Sequence, residues 1–247
     1  MHKSLNDALI AKFLEREFAT LGKVFPHARA LDLGCGDMRY AKHFERNNWL
    51  PVYSDHEVRA KGVQILIDAH SLPFADGVFD VINMTEVLEH LHHPSDALKE
   101  IARVLAPNGR VLITFPFMWM IHEVPHDYFR YTEFGFAVLA KDAGLTIERF
   151  YRRGGAFGLM LSLVEIKILG LAHVMSKRPI LSLFGRLLDA LARGIAAGSF
   201  HLYLLLTNKT NTRAVRYPGE NLDGALGKLR LWTLGYNFVL KKVATNI

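Results

Sequence analysis

Residues 122–131 read HEVPHDYFRY, which sets two histidines, a glutamate, an aspartate, two tyrosines and an arginine within ten positions. These groups include bases that titrate near neutrality and a guanidinium that grips anions. A metal site, a nucleic-acid finger and the wall of a reaction pocket all draw on them. A second run of this kind, EVLEH, occupies residues 86–90. Read as a helix, it places Glu86, Glu89 and His90 at i, i+3 and i+4 on one face. A hard divalent cation can use such a face, with a further ligand from His122 or His126. Local hydrogen bonding by Glu89 and His90 is the simpler reading, and no metal is assigned to the run.

The bulk properties narrow the choice. The chain has 247 residues, half of them hydrophobic and 22% charged, enough for a sizeable core and unlike a disordered chain. Its single cysteine, Cys35, excludes an internal disulfide framework and a multi-cysteine zinc module, and a reducing, cytoplasmic setting is expected. The opening run carries Asp7, Glu15 and Glu17 among its apolar residues, unlike a secretory signal core. A net charge of +6 favours anionic partners, but no long basic run concentrates it, so nucleic acid is disfavoured. The apolar stretch from Gly158 is broken by Glu165, Lys167 and His173. FHLYLLL, from Phe200, is far shorter than the ~20 residues a spanning helix needs, so no transmembrane helix is predicted.

The elements that must position the reactive residues alternate. A first helix capped by Ser4 runs to about residue 21, within an N-terminal helical segment of residues 1–22. Strands follow at ALDL, LPVYSD, VQILID, VFDVINM, RVLITFP and LTIERFY. Between them lie helices from about Met38 to Asn48, from Pro94 to about Leu105, and from a Thr132 cap to Ala143. Pro107, Asn108 and Gly109 are expected to stop the third helix before its strand. The connection from Asp55 to Val63 is unusually short. Residues 155–207 read as apolar helices inserted before a last strand at 231–242. The pattern predicts an α/β fold, a doubly wound, seven-stranded, mostly parallel sheet in a single domain over residues 1–247.

Asp32-Leu33-Gly34-Cys35-Gly36 follows the first strand directly. Glycines there let the backbone turn sharply and approach a nucleotide, beside the free N–H groups of the next helix. Asp55, about twenty residues on, closes the second strand, where an acid accepts hydrogen bonds from ribose hydroxyls. Dinucleotides and S-adenosylmethionine both suit this arrangement. Met38 replaces the third glycine of a pyrophosphate loop, and Asp32 would repel a pyrophosphate while suiting the ammonium of a methionine moiety. The methyl donor is therefore favoured over NAD. Cys35 reads as a small packed residue of the turn rather than a nucleophile.

ALDLGCGD, together with IDAHSLPFADGVFDVINMTEVLEHLHHPSDALKEIARVLAPNGRVLITFP, resembles the class I S-adenosylmethionine-dependent methyltransferases, especially those acting on small molecules. The resemblance implies strand order 3-2-1-4-5-7-6 with the seventh strand antiparallel. It also implies that Asp32, Gly34 and Gly36 line the methionine end and Asp55 the ribose. Asp68 and Ala69 would then lie along the adenine, above a floor of Asn83, Met84 and Thr85. Residues 122–132 resemble an H-x-x-P-x-D-Y-W-R-Y-T phrase of methyltransferases linked to glycan assembly, with Phe129 in place of tryptophan.

Placed after the fifth strand, that segment becomes an acceptor-site lid. His126 or His122 would be the general base and Arg130 an anchor for an anionic part of the acceptor. The plainer alternative is that Asp127 and Arg130 pair while Tyr128 braces the loop. The expected acceptor is a small molecule or saccharide methylated on oxygen or nitrogen. A non-catalytic nucleoside-binding scaffold and an NAD-dependent oxidoreductase are the other readings. Within the insertion, Leu181, Phe184, Leu187, Leu188 and Leu191 have core-like spacing. Packing against the domain is expected for them, with peripheral membrane contact as the alternative.

Overall fold

The computed structural model describes residues 4–176 and 233–243, with scattered positions between 183 and 198. Its described residues fall into two compact units. The larger holds residues 13–151 and 235–243, and the smaller holds residues 4–12, those from 152 onward and residues 233–234.

The sheet has seven strands, β1 (Arg29–Leu33), β2 (Leu50–Asp55), β3 (Ile65–Leu66), β4 (Phe79–Thr85), β5 (Leu105–Pro116), β6 (Leu145–Arg153) and β7 (Gly235–Lys242). They lie in the order β3-β2-β1-β4-β5-β7-β6. β1 runs parallel to β2 and β4, and β4 parallel to β5, whereas β7 runs antiparallel to β5 from Arg110↔Lys241 to Pro116↔Gly235. Val81, Ile82 and Met84 are all fully buried, as expected of a parallel strand covered on both faces. The sheet order reverses at β1 and β4, so their carboxyl ends open the crevice where such folds bind ligands.

Helices α1 (Leu5–Val24), α2 (Ala41–Arg46), α3 (Pro94–Val104) and α4 (Glu133–Asp142) complete the frame around these strands. Pro94 starts α3 where its missing N–H costs nothing, and Leu98 and Ile101 bury its apolar face. Thr132 caps α4 by accepting from the Gly135 N–H at 3.0 Å. In the larger unit Phe18 meets Phe44 edge-on at 4.7 Å, joining α1 to α2. Phe238 on β7 lies 4.5 Å from Phe136, 5.5 Å from Phe115 and 5.6 Å from Phe150 between ring centroids.

Three elements depart from the sequence reading. β5 begins at Leu105, directly after α3, and passes through Pro107–Asn108–Gly109 instead of being preceded by a stop there. The extra residues form an irregularity, with Phe79 opposite Leu105 but Val81 opposite Arg110. Gly109 suits this close approach, because a Cβ there would stand 3.0 Å from the Asp80 carbonyl oxygen. β3 shrinks to two residues, and the short 56–64 connection contains no helix. Residues 86–90 form no full helix: Glu86 has φ +53° and a single 3-10 turn covers Leu88–His90.

In the smaller unit, helix α5 (Gly155–Ser176) begins the predicted insertion. Ser4 caps α1 by accepting from the Asp7 N–H, and the buried Glu165 carboxylate accepts from the Leu5 N–H at 3.0 Å. Met160, Leu163, Val164, Leu171 and Val174 are exposed along α5. Phe184, Leu187 and Leu191 are exposed as well, and Leu188 is half-buried, in contrast to the buried face their spacing suggested. Leu181 and residues 231–232 lie outside the described residues. Among the described residues, no helix is long and apolar enough to cross a membrane.

Candidate functional site

The turn after β1 is built by conformation and packing together. Gly34 and Gly36 have φ +74° and +55°, the left-handed region that glycine adopts without strain. A Cβ on Gly34 would fall 2.4 Å from Val87 Cγ2, so this glycine also admits the segment after β4. A Cβ on Gly36 would meet nothing within 4 Å, which leaves that side of the turn open to a ligand. Met38 takes φ +58° despite its side chain, and its thioether lies against Gly62 in the short connection.

Buried polar side chains underlie this turn. Thr85 Oγ1 donates to Asn83 Oδ1 at 3.0 Å, and Asn83 Nδ2 donates to Asp32 Oδ1 at 2.7 Å. Burial lifts the Asp32 carboxyl to about 7, the Asn83 hydrogen bond opposes the rise and nearby Asp55 adds to it. Asp55 is committed largely to the backbone, with Oδ2 accepting from the Gly36 N–H at 2.8 Å and Oδ1 from the His56 N–H at 2.7 Å. It therefore ties the end of β2 to the glycine turn. Ala69 is buried, whereas Asp68 is exposed and accepts from the His70 N–H at 2.9 Å, which holds its carboxyl below the usual range.

Two segments meet beyond β4 and β5. Glu86 turns back onto β5, where its Oε1 accepts from Thr114 Oγ1 at 2.8 Å. It thus leaves the face that E-x-x-E-H would have shared on a helix. The Glu89 carbonyl accepts from the N–H groups of Tyr128 (2.9 Å) and Phe129 (3.2 Å), docking the histidine-rich loop on the 3-10 turn. His90 Nδ1 lies 2.6 Å from the His126 carbonyl oxygen, and burial lowers the imidazole's basicity. Tyr131 Oη donates to the Leu88 carbonyl at 3.1 Å.

Asp127 organises the loop interior. Its Oδ2 accepts from the His122 N–H at 2.9 Å and from Arg130 Nη2 at 2.7 Å, and it lies 3.1 Å from His122 Nδ1. The Arg130 guanidinium holds the Asp127 carboxyl far below the usual carboxylate range. Arg130 also donates to the Met120 and Phe129 carbonyls, so the Asp127–Arg130 pairing weighed from the sequence is present. His126 points elsewhere: it is exposed, with Nδ1 2.9 Å from Tyr128 Oη.

The structure therefore joins Asp32, Gly36, Asp55, Asn83 and Thr85 within one cluster and His122, Asp127 and Arg130 within another. Sequence reasoning missed Val87, whose side chain requires Gly34, and Arg59, whose Nη2 reaches Glu123 Oε2 at 3.2 Å across 64 residues. Of the two histidines weighed as a further ligand beside Glu89 and His90, His122 is the one that approaches, with Nε2 3.8 Å from Glu89 Oε1. Local spacing carries no signal for contacts made across strands; Gly34 and Val87 follow adjacent parallel strands, whereas Arg59 and Glu123 follow β2 and β5, which are separated by two others.

Comparison with known proteins agrees with this geometry. The model of a methyltransferase domain family matches residues 31–113. Over 125 residues the chain is 30% identical to the ubiquinone/menaquinone biosynthesis C-methyltransferase UbiE of Burkholderia mallei, covering 44% of this chain and 51% of that one. The chain spans about half the length of the curated relatives it matches. A Galdieria sulphuraria protein assigned as a sarcosine dimethylglycine methyltransferase has a similar fold, with TM-score 0.58 and 17% identity over 96% of this chain and 85% of its own. The [4+2]-cyclase SpnF is similar at TM-score 0.54 and 17% identity, over 94% and 82%. At such identities the likeness speaks for the fold alone. The matched stretch is similar to a methyltransferase domain, and the 3-2-1-4-5-7-6 sheet around it has the order expected of the class I S-adenosylmethionine-dependent methyltransferases.

Proposed function

We propose that this protein transfers a methyl group from S-adenosylmethionine to an oxygen or nitrogen of a small-molecule or saccharide acceptor. One observation carries the reading most directly: the buried, hydrogen-bonded series Thr85–Asn83–Asp32 lies beneath a glycine turn whose Gly36 side is open. An ammonium group is the natural complement to Asp32, since it relieves the burial that keeps the carboxyl protonated. In this reading Asp32, Gly34 and Gly36 receive the methionine end. Asp55 fixes the turn beside the ribose, Asp68 and Ala69 border the adenine, and Asn83 and Thr85 keep Asp32 in place. Bound there, S-adenosylmethionine supplies an activated methyl on a sulfonium, which leaves as a neutral thioether.

The protein then aligns the acceptor and removes its proton. His126 and His122 are the available bases, and Arg130, already held by Asp127, presents the rest of its surface to an anionic group. The exposed apolar face of α5 supports a peripheral membrane contact as part of the same proposal, suited to a lipid-linked acceptor.

Calorimetric titration with S-adenosylmethionine, with NAD as control and Asp55→Ala alongside, tests the donor site. Micromolar binding of the methyl donor that Asp55→Ala weakens at least tenfold, with none for NAD, is the expected result. Binding of neither nucleotide would leave a scaffold as the better description, and binding of NAD would turn the reading to an oxidoreductase.

A further inference from the structure

Both imidazoles near Glu89 have one nitrogen already assigned. His90 Nδ1 lies 2.6 Å from the His126 carbonyl, which can only accept, so Nδ1 carries the proton and Nε2 the lone pair. His122 Nδ1 lies 3.1 Å from the ionised Asp127 carboxylate, which fixes the same tautomer. The two Nε2 atoms then approach one oxygen: Glu89 Oε1 is 3.6 Å from His90 Nε2 and 3.8 Å from His122 Nε2. The ring centroids of the two histidines are 4.8 Å apart, and ligand atoms of the three residues all lie within 4.8 Å of one another. The Glu89 side chain is fully buried, while those of His90 and His122 are 15% and 25% exposed, which leaves an approach from one side.

Two imidazole nitrogens and a buried carboxylate oxygen that converge in this way make up a donor set that a divalent cation takes. A proton shared by nitrogen and oxygen needs a separation of ~2.7–2.9 Å, and both distances exceed that. A first-row divalent ion at ~2.0–2.2 Å from each ligand separates neighbouring ligands by about 3.0–3.4 Å, so the two distances to Glu89 Oε1 would close by roughly half an ångström and the two imidazole nitrogens by up to roughly 1.4–1.8 Å. We propose that Glu89, His90 and His122 bind a divalent transition-metal cation of the zinc, cobalt or manganese type through Glu89 Oε1 and the two Nε2 atoms. The His126 carbonyl and Asp127 hold the rings from behind, as outer partners of metal-bound histidines do. Glu86 takes no part, because it is folded onto Thr114.

Three protein ligands leave at least one coordination position for an oxygen or nitrogen of a bound molecule. On the methyltransferase reading, on which this step rests, that position holds the acceptor's lone-pair atom, His122 acts as ligand rather than base, and His126 remains for the proton. Full-length protein stripped with a chelator is titrated with cobalt(II) chloride and followed by its visible absorption, with bound metal counted by mass spectrometry. S-adenosylmethionine binding is measured in the same stripped sample.

One equivalent of cobalt with a ligand-field spectrum is expected, weakened at least tenfold by His122→Ala in the loop and by Glu89→Gln in the interior. Thermal unfolding of each variant separates lost ligation from lost folding. Absence of stoichiometric cobalt binding, or binding that His122→Ala and His90→Ala together leave intact, overturns the site. Donor binding without cobalt binding rejects the metal alone, and cobalt binding without donor binding rejects the methyltransferase reading while keeping the metal.

Discussion

Asp32 shows how one buried carboxyl would couple the proposed donor site to pH. With its folded value raised to about 7 from the ordinary 3.8, the empty protein's stability from this group is present at low pH and lost as pH rises from about 4 through 7. A ligand ammonium requires the ionised form, so donor affinity should rise from pH 6 to 8, by up to about tenfold per unit below the folded value. Calorimetry at pH 6, 7 and 8 checks this, with Asp32→Asn expected to bind more weakly and to flatten the profile; a flat wild-type profile would count against the assignment. The types of Asp32, Gly34, Gly36 and Asp55 were legible in the sequence because turn geometry demands them. The partners that set their behaviour were not. Asn83 reaches Asp32 across 51 residues, and no local pattern announces such a contact.

Elements whose ends carry their own signals were read well, and those whose ends depend on neighbours were not. Thr132 starts α4 and Ser4 starts α1 as their side chains dictate, with the hydrogen bonds in place. Replacing Thr132 with Ala should cost about 1 kcal/mol of stability, measured by chemical denaturation, because it removes the acceptor for the Gly135 N–H. A change within a few tenths would mean that water caps α4 equally well. β5, in contrast, extends back to Leu105 because β4 pairs with it there, against the local tendency of Pro-Asn-Gly to turn. The E-x-x-E-H run failed as a helix for a related reason. Glu86 is drawn into the left-handed region as its backbone N–H turns to Thr114, which also takes its side chain.

Across the sheet, the last strand places a buried aromatic ring among three others. β7 inserts between β5 and β6, and its Phe238 is fully buried against Phe115, Phe136 and Phe150. Phe238→Ala should destabilise the protein by about 3–5 kcal/mol, read from the denaturation midpoint. A loss under about 1 kcal/mol would mean that β7 contributes little to the core. The strands followed from alternating patterns, since each carried its own hydrophobic run, and their order from the resemblance alone. The tail-end strand was recognisable despite its distance in sequence because GYNFVLKK keeps an apolar run long enough for a strand.

The histidine-rich loop is fastened in part through the peptide backbone of one residue. The Glu89 carbonyl receives the N–H groups of both Tyr128 and Phe129, and a main-chain carbonyl is present whatever side chain stands at position 89. Side chains in the loop can therefore diversify without loss of this attachment, so recognition of new compounds is open to change while the mounting stays fixed. A protein fastened in this way is a good starting point for evolving altered specificity, with the exposed Met120, Ile121, Val124 and Phe129 randomised and His122, His126, Asp127 and Arg130 left untouched.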